Sequence, residues 1–209
     1  MKLFVLGATG PTGLQIVQQA LARGHEVTAF VRDPAKLPFI DKKLKVVTGF
    51  LPGDSRALAE ALRGHDAVIS SLGLHNALKS NGLIEGSMRV LVPAMERQGV
   101  RRLIIVSANG VGSTRQHAPL LPRVMYRLLL TDIFADKKAG EDIVRASSLD
   151  WTVAYPTRLT DGPRTGSYRA AGGLELKGFP KISRADVADF VLRQLKDRAF
   201  LKKGAVISD

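Results

Sequence analysis

Short apolar runs alternate with longer stretches in which apolar residues recur at helical spacing, from Leu3 almost to the end of the chain. The runs Leu3–Leu6, Val27–Val31, Lys45–Thr48, Ala67–Ser71, Leu103–Ser107 and Trp151–Ala154 predict strands. Helical patterns over Leu14–Ala22, Arg56–Leu62, Ile84–Arg97 and most of Leu120–Ala146 fill the intervals, with Pro119 and Pro122 leaving the last start open. A run as continuous as Leu-Ile-Ile-Val at 103–106 suits a strand buried on both faces, as parallel strands are. The alternation predicts one α/β domain over residues 1–209, a doubly wound parallel sheet with helices on both sides.

After Pro156 the texture changes. Residues 157–182 hold many glycines and prolines and predict substrate-side loops, with a small hairpin around Ser167–Ala171. A helix over Arg184–Leu195 and a strand at Ala205–Ile207 close the pattern.

Composition narrows the setting. With 45% hydrophobic and 24% charged residues, the chain can bury enough apolar surface to exclude disorder. The absence of cysteine removes a disulfide framework, a thiolate zinc site and a cysteine nucleophile. The first apolar stretch stops at Gly7, too early for a secretory signal, and Leu128–Leu130 is too brief for a membrane span. A cytoplasmic protein without a membrane partner is expected, either monomer or homodimer. His25, His65, His75 and His117 show no ligand spacing, so no metal is expected, and no Gly-x-Ser-x-Gly elbow appears.

Charge asks for an anionic partner. Thirty-one Lys and Arg against nineteen Asp and Glu leave +12, which suits nucleic acid, an acidic membrane surface or a phosphate-rich cofactor. Aromatics are only 6% and the basic residues are dispersed, so nucleic acid is not the expected partner.

Gly7-Ala8-Thr9-Gly10-Pro11-Thr12-Gly13 lies between a predicted strand and a predicted helix. Glycines there permit a tight turn, close approach of a pyrophosphate and close helix–strand packing, while the helix N-terminus presents free N–H groups to phosphate. The motif therefore predicts dinucleotide binding, with Gly7, Thr9, Gly10, Pro11, Thr12 and Gly13 as cofactor contacts. Arg32 ends the second strand where an NAD-preferring site carries an acid. Its guanidinium suits a 2′-phosphate, with Lys36 as a second cation, so NADPH is the expected cofactor. The alternative is a surface arginine paired with Asp33, unless Asp33 caps the turn that opens at Pro34.

These motifs, with Val31-Arg32-Asp33, Asp66-Ala67-Val68-Ile69, Leu72-Gly73-Leu74-His75-Asn76, Val106-Ser107-Ala108, the 148–156 segment, Thr160-Asp161-Gly162-Pro163 and Thr165-Gly166-Ser167-Tyr168, resemble the atypical short-chain dehydrogenase/reductase superfamily. Within it the likeness is to the NAD(P)H-binding group of biliverdin-IXβ and flavin reductases, with NmrA-like regulators more distant. The resemblance implies a Rossmann-like fold with Leu72 and Gly73 along the cofactor, Ser107 beside the nicotinamide, and Tyr155 and Pro156 approaching it. Where many relatives have Gly-Asp for the adenine amino group, this chain has Gly49-Phe50, which leaves Phe50 to pack on the adenine face.

The superfamily's Tyr-x-x-x-Lys proton donor is also missing. The aligned window reads Phe134-Ala135-Asp136-Lys137-Lys138, and Tyr126 does not restore it. Lys138 then either touches a ribose or amide or is a solvated helix residue. A sugar-nucleotide epimerase or dehydratase shares the fold but normally needs that tyrosine. The resulting expectation is hydride transfer to a flat conjugated small molecule, a flavin, biliverdin-type tetrapyrrole or quinone, with a proton from solvent. The alternative is a non-catalytic NADPH-binding sensor or regulator. Ser107 is the candidate catalytic contact, unless it only satisfies local backbone. Arg115, His117 and Arg123 follow the fifth strand and either hold an anionic acceptor or form a solvated basic face. Asn109, Arg123 and Tyr168 are the substrate-side candidates.

Overall fold

A computed structural model describes residues 1–73, 80–112, 114 and 131–209. Lys2–Leu6 (β1) enters the core at once, and its consecutive side chains divide between two layers. Leu3 and Val5 pack with Ile16, Val17, Val187 and Val191 on one face. Phe4 and Leu6 pack with Leu58, Met88, Leu91 and Met95 on the other. In the central strands this two-residue alternation gives a buried side chain for both layers, which is why those strands read as unbroken apolar runs.

The elements follow as Pro11–Ala22 (α1), Glu26–Val31 (β2), Leu44–Thr48 (β3), Ser55–Ala61 (α2), Ala67–Ser70 (β4), Leu83–Gln98 (α3) and Arg102–Val106 (β5). Next come Thr131–Ala146 (α4), Asp150–Pro156 (β6), Arg158–Thr160 (β7), Arg169–Ala171 (β8), Lys181–Ser183 (β9), Arg184–Arg193 (α5) and Lys203–Ser208 (β10). The large sheet has eight strands in the order β3-β2-β1-β4-β5-β6-β10-β8. All of its pairings are parallel except β10 with β8. α1 and α5 cover one face, while α2, α3 and α4 cover the other. The strand order reverses between β1 and β4, which opens a crevice at their carboxyl ends. This is the expected Rossmann-like single domain.

Two local expectations change. The predicted hairpin at Ser167–Ala171 does not form, because Arg169–Ala171 joins β10, with Ala171 opposite Val206 and Arg169 opposite Ser208. β7 and β9 form a separate parallel pair that the loop-rich composition of this region hid. The part of the predicted Leu120–Ala146 helix before Thr131 lies outside the described residues.

α4 is tied to the start of α3 by its own acids. Asp136 accepts the Ile84 and Glu85 N–H groups at 2.9 and 2.8 Å, and Asp132 accepts the Ser80 N–H at 2.6 Å. A helix from another part of the chain thus supplies the cap that Gly82 cannot, and the carboxylates sit at the positive end of α3.

Candidate cofactor and acceptor site

Gly7 sits at φ +74°, and a Cβ there would lie 2.6 Å from the Ser71 carbonyl oxygen. A Cβ on Gly13 would lie 2.0 Å from the Gly7 carbonyl oxygen. The turn and the first coil of α1 are therefore packed backbone on backbone, closer than any side chain permits. Gly10 donates to Gly7 and Leu14 donates to Gly10, which closes the turn. Pro11 has no N–H, and those of Thr12 and Gly13 make no hydrogen bond among the described residues. A glycine cradle with open donors at a helix N-terminus fits a pyrophosphate.

Arg32 follows β2 at the same edge, is exposed, and has no ion pair among the described residues. Asp33 does not take it. That carboxylate accepts the Ala35 N–H at 3.1 Å and lies 3.7 Å from Lys36, so it caps the turn and leaves Arg32 free for a ligand. Phe50, half exposed beyond β3, lies beside Gly53 and presents an apolar face to solvent. Leu72 and Gly73 follow β4, whereas Leu74–Asn76 lie outside the described residues.

The carboxyl end of β5 carries the titratable groups. Ser107 is buried and donates to Glu141 Oε1 at 2.6 Å, while the Tyr155 hydroxyl donates to Oε2 at 2.5 Å. Arg145 donates to the Tyr155 oxygen at 2.9 Å and its guanidinium lies 4.9 Å above the Trp151 ring. Lys137 and Glu141 join Ser70, Leu72 and Ser107 around a small, partly open pocket of about 10 Å³. Lys137, Glu141 and Arg145 recur every four residues, so α4 turns all three the same way. Burial raises the Glu141 carboxyl above its ordinary range, against the opposing pull of Ser107, Tyr155, Arg145 and Lys137. Burial likewise lowers Lys137, although Glu141 and Asp136 oppose it, and burial beside the carboxylate raises Tyr155.

A family model for NAD(P)H-binding proteins matches residues 7–198. The chain belongs to that family. An uncharacterized chloroplastic protein of Arabidopsis thaliana is 33% identical over 174 residues, 79% of this chain and 62% of its own length. This chain thus spans less than two thirds of that relative. Among solved structures, ChuY, an anaerobillin reductase from Escherichia coli O157:H7, superposes with a TM-score of 0.81. It is 23% identical and covers 99% of this chain and 96% of its own. A wide-type short-chain dehydrogenase/reductase from Veillonella parvula, solved with NADP, gives a TM-score of 0.80 at 20% identity, covering 100% and 94%. At these identities the two structures share the fold with this chain.

Within this NAD(P)H-binding domain the expected residues separate into groups. Gly7, Thr9, Gly10, Pro11, Thr12, Gly13, Arg32, Phe50, Leu72, Gly73 and Ser107 all sit in or just beyond the carboxyl ends of β1 to β5. Tyr155 and Pro156 end β6, but both are buried, and the Tyr155 hydroxyl is turned to Glu141. Asn109 donates its N–H to the Pro156 carbonyl, and its side-chain Oδ1 is buried without a partner among the described residues. Lys138 is on the exposed side of α4, ion-paired with Asp142 at 2.5 Å. The lysine that the helix carries to the strand ends is Lys137 instead, and the residue four before it is Ile133. Tyr168 packs against the α1/α5 layer with its hydroxyl on Asp189, across the sheet from Ser107 and Glu141. Arg115, His117 and Arg123 lie outside the described residues.

Sequence reading missed Glu141, Lys137 and Arg145. Their four-residue spacing with alternating charge was the available signal, but solvated helix faces look the same. Part of the positive charge lies away from this site. Lys2, Lys42, Lys43, Lys45 and Arg63 line a groove at the amino ends of β1–β3, the edge opposite the glycine turn.

Proposed function

We propose that this protein is an NADPH-dependent reductase that delivers hydride to a flat conjugated acceptor, a flavin, a biliverdin-type tetrapyrrole or a quinone, without a Tyr-x-x-x-Lys proton donor. The observation that carries this reading is the strand-end constellation. A glycine cradle and an Arg32 with no ion pair among the described residues suit a phosphorylated dinucleotide, while Ser107 and Lys137 line one pocket and the residues four before Lys137 and Lys138, Ile133 and Phe134, carry no proton to give. NADPH supplies the hydride when bound; the chain's part is to hold the two π systems in contact and exclude water. The solved relative named as a reductase is consistent with this chemistry.

Purified protein mixed with NADPH and a panel of flavins, quinones and biliverdin should oxidise the nicotinamide, read as loss of its reduced-form absorbance. Tight NADPH binding with no oxidation above background would instead favour the sensor alternative. Cofactor choice has its own test. Arg32→Ala should weaken NADPH by roughly 10- to 100-fold, matching the ~1.5–3 kcal/mol of hydrogen bonds to a charged group. NADH affinity should stay unchanged, since it lacks the 2′-phosphate; equal losses for both would remove Arg32 from that role.

A further inference from the structure

We propose that Glu141 is the proton relay of this site, passing a proton through Ser107 Oγ to the reduced acceptor. The inference rests on the reductase reading and deepens it. A conjugated acceptor that has taken a hydride is an anion one proton short of product, and Ile133 has no proton to give. Ser107 alone is too weak an acid for the task, because its alkoxide would be left uncompensated in a buried position. Its neighbour removes that difficulty.

A hydroxyl donates one hydrogen bond and accepts two, so it can hand a proton on while receiving another. With Glu141 protonated on Oε1, that O–H donates to Ser107 Oγ across the 2.6 Å contact and frees the serine O–H for the cavity. As the acceptor takes the Ser107 proton, the Oγ–H bond breaks and the acceptor–H bond forms. At the same time the Glu141 Oε1–H bond breaks and a new Ser107 Oγ–H bond forms. The serine ends neutral, Glu141 ends as carboxylate, and the relay has moved one proton and no electrons. Both electrons of the reduction arrive with the hydride.

The surroundings suit both states of Glu141. The carboxylate keeps the Tyr155 hydroxyl from β6, the Arg145 guanidinium at 3.9 Å and Lys137 on its own helix. From α3, Ile84 and Met88 line the cavity, while Glu85 is held at the surface by Arg89. The loop after β5 brings Gly112 alongside Oε2. No second acid faces Glu141 among the described residues, because Asp136 is committed to the α3 N-terminus. Partly buried Lys137 lines the same pocket and is the nearby cation that opposes the rise of the Glu141 pKa together with Arg145. Burial raises the carboxyl, which keeps the protonated form available further toward neutrality than at an exposed glutamate.

The test is Glu141→Gln, which keeps the shape and both hydrogen-bonding atoms but holds no proton to donate. We expect kcat to fall about 100-fold, the low end for general acid–base groups, with NADPH affinity unchanged. Wild-type activity should fall as pH rises through the raised Glu141 pKa, and the variant should lose that limb. Tyr155→Phe removes one donor to the carboxylate, so the limb should move to higher pH; it carries the test alone if the glutamine variant does not fold. A readout without turnover is the infrared pH titration. A carboxylic acid C=O band should persist in the wild type above the ordinary glutamate value of 4.5 and be absent in the variant. An unchanged kcat and pH limb in Glu141→Gln, or no such band, would overturn the relay and leave the reductase reading standing. A wild type that binds NADPH but reduces no acceptor would overturn both.

Discussion

Gly13→Ala should abolish NADPH binding and cost more stability than an ordinary core substitution. The added Cβ would stand 2.0 Å from the Gly7 carbonyl oxygen, 2.7 Å from its carbon and 2.9 Å from the Ala8 Cα. Overpacking a core costs typically 1–3 kcal/mol because side chains move aside, but here the neighbours are all backbone. We therefore expect at least about 3 kcal/mol, a large part of a typical domain's 5–15 kcal/mol. Relief can come only by moving α1 off β1, which pulls the Thr12 and Gly13 N–H groups away from the phosphate position. Thermal melts read the first effect, and fluorescence titration with NADPH reads the second.

Gly73→Ala is the control. A Cβ there meets nothing within 4 Å among the described residues, so stability should change by less than about 0.5 kcal/mol. Weaker NADPH binding in that variant without a change in melting would mark Gly73 as a point of close cofactor approach. Unchanged binding in Gly13→Ala would sink the pyrophosphate assignment of the turn.

The glycine turn and the order of strands and helices were legible because each is written locally. An apolar run, a glycine spacing or a helical period is complete within about a dozen residues. The Asp33 cap was legible for the same reason, since its acceptor and the Ala35 N–H are two residues apart. What the sequence did not reveal depended on how one element is rotated against another. Lys137 and Lys138 are adjacent, and only the docking of α4 through Asp132 and Asp136 decides which of them faces Ser107. The family resemblance implied that Tyr155 approaches the nicotinamide. Its hydroxyl is instead claimed by Glu141, fourteen residues earlier on a helix. β8 offered no periodicity to reveal that it would pair antiparallel with β10. The positive charge was counted correctly, but a count has no position: the basic groove of Lys2, Lys42, Lys43, Lys45 and Arg63 lies at the edge opposite the glycine turn.

Asp189→Asn should cost about 2–3 kcal/mol, as much as many large-to-small core substitutions. The Asp189 side chain is 1% exposed and receives Arg23 at 2.5 Å, Arg193 at 2.7 Å and Arg164 at 3.1 Å. Tyr168 donates its hydroxyl to the same carboxylate at 2.9 Å. Breaking a buried pair costs about 3–5 kcal/mol when it strands a charge in the interior. Here the stranded guanidiniums belong to side chains 29%, 55% and 55% exposed, which can turn to water, so the expected cost is smaller. For a chain of this size it amounts to a melting temperature lower by about 5–10 °C. Burial alone would raise the Asp189 pKa; the Tyr168 hydrogen bond and the three arginines outweigh it and hold the carboxyl below its ordinary 3.8. A depressed carboxylate contributes stability above its unfolded pKa and loses it as pH falls through the folded one. Wild type should therefore lose this contribution on acidification below about pH 4, and Asp189→Asn should show a flatter acid limb in that window. NADPH affinity measured at neutral pH decides what else the cluster does. Arg23 directly follows α1, whose first turn carries the open Thr12 and Gly13 N–H groups, so Asp189 ties the far end of that helix to α5. A stability loss with unchanged affinity would make the cluster a brace for the α1/α5 layer. A parallel loss of affinity would show that aiming α1 at the phosphates depends on it.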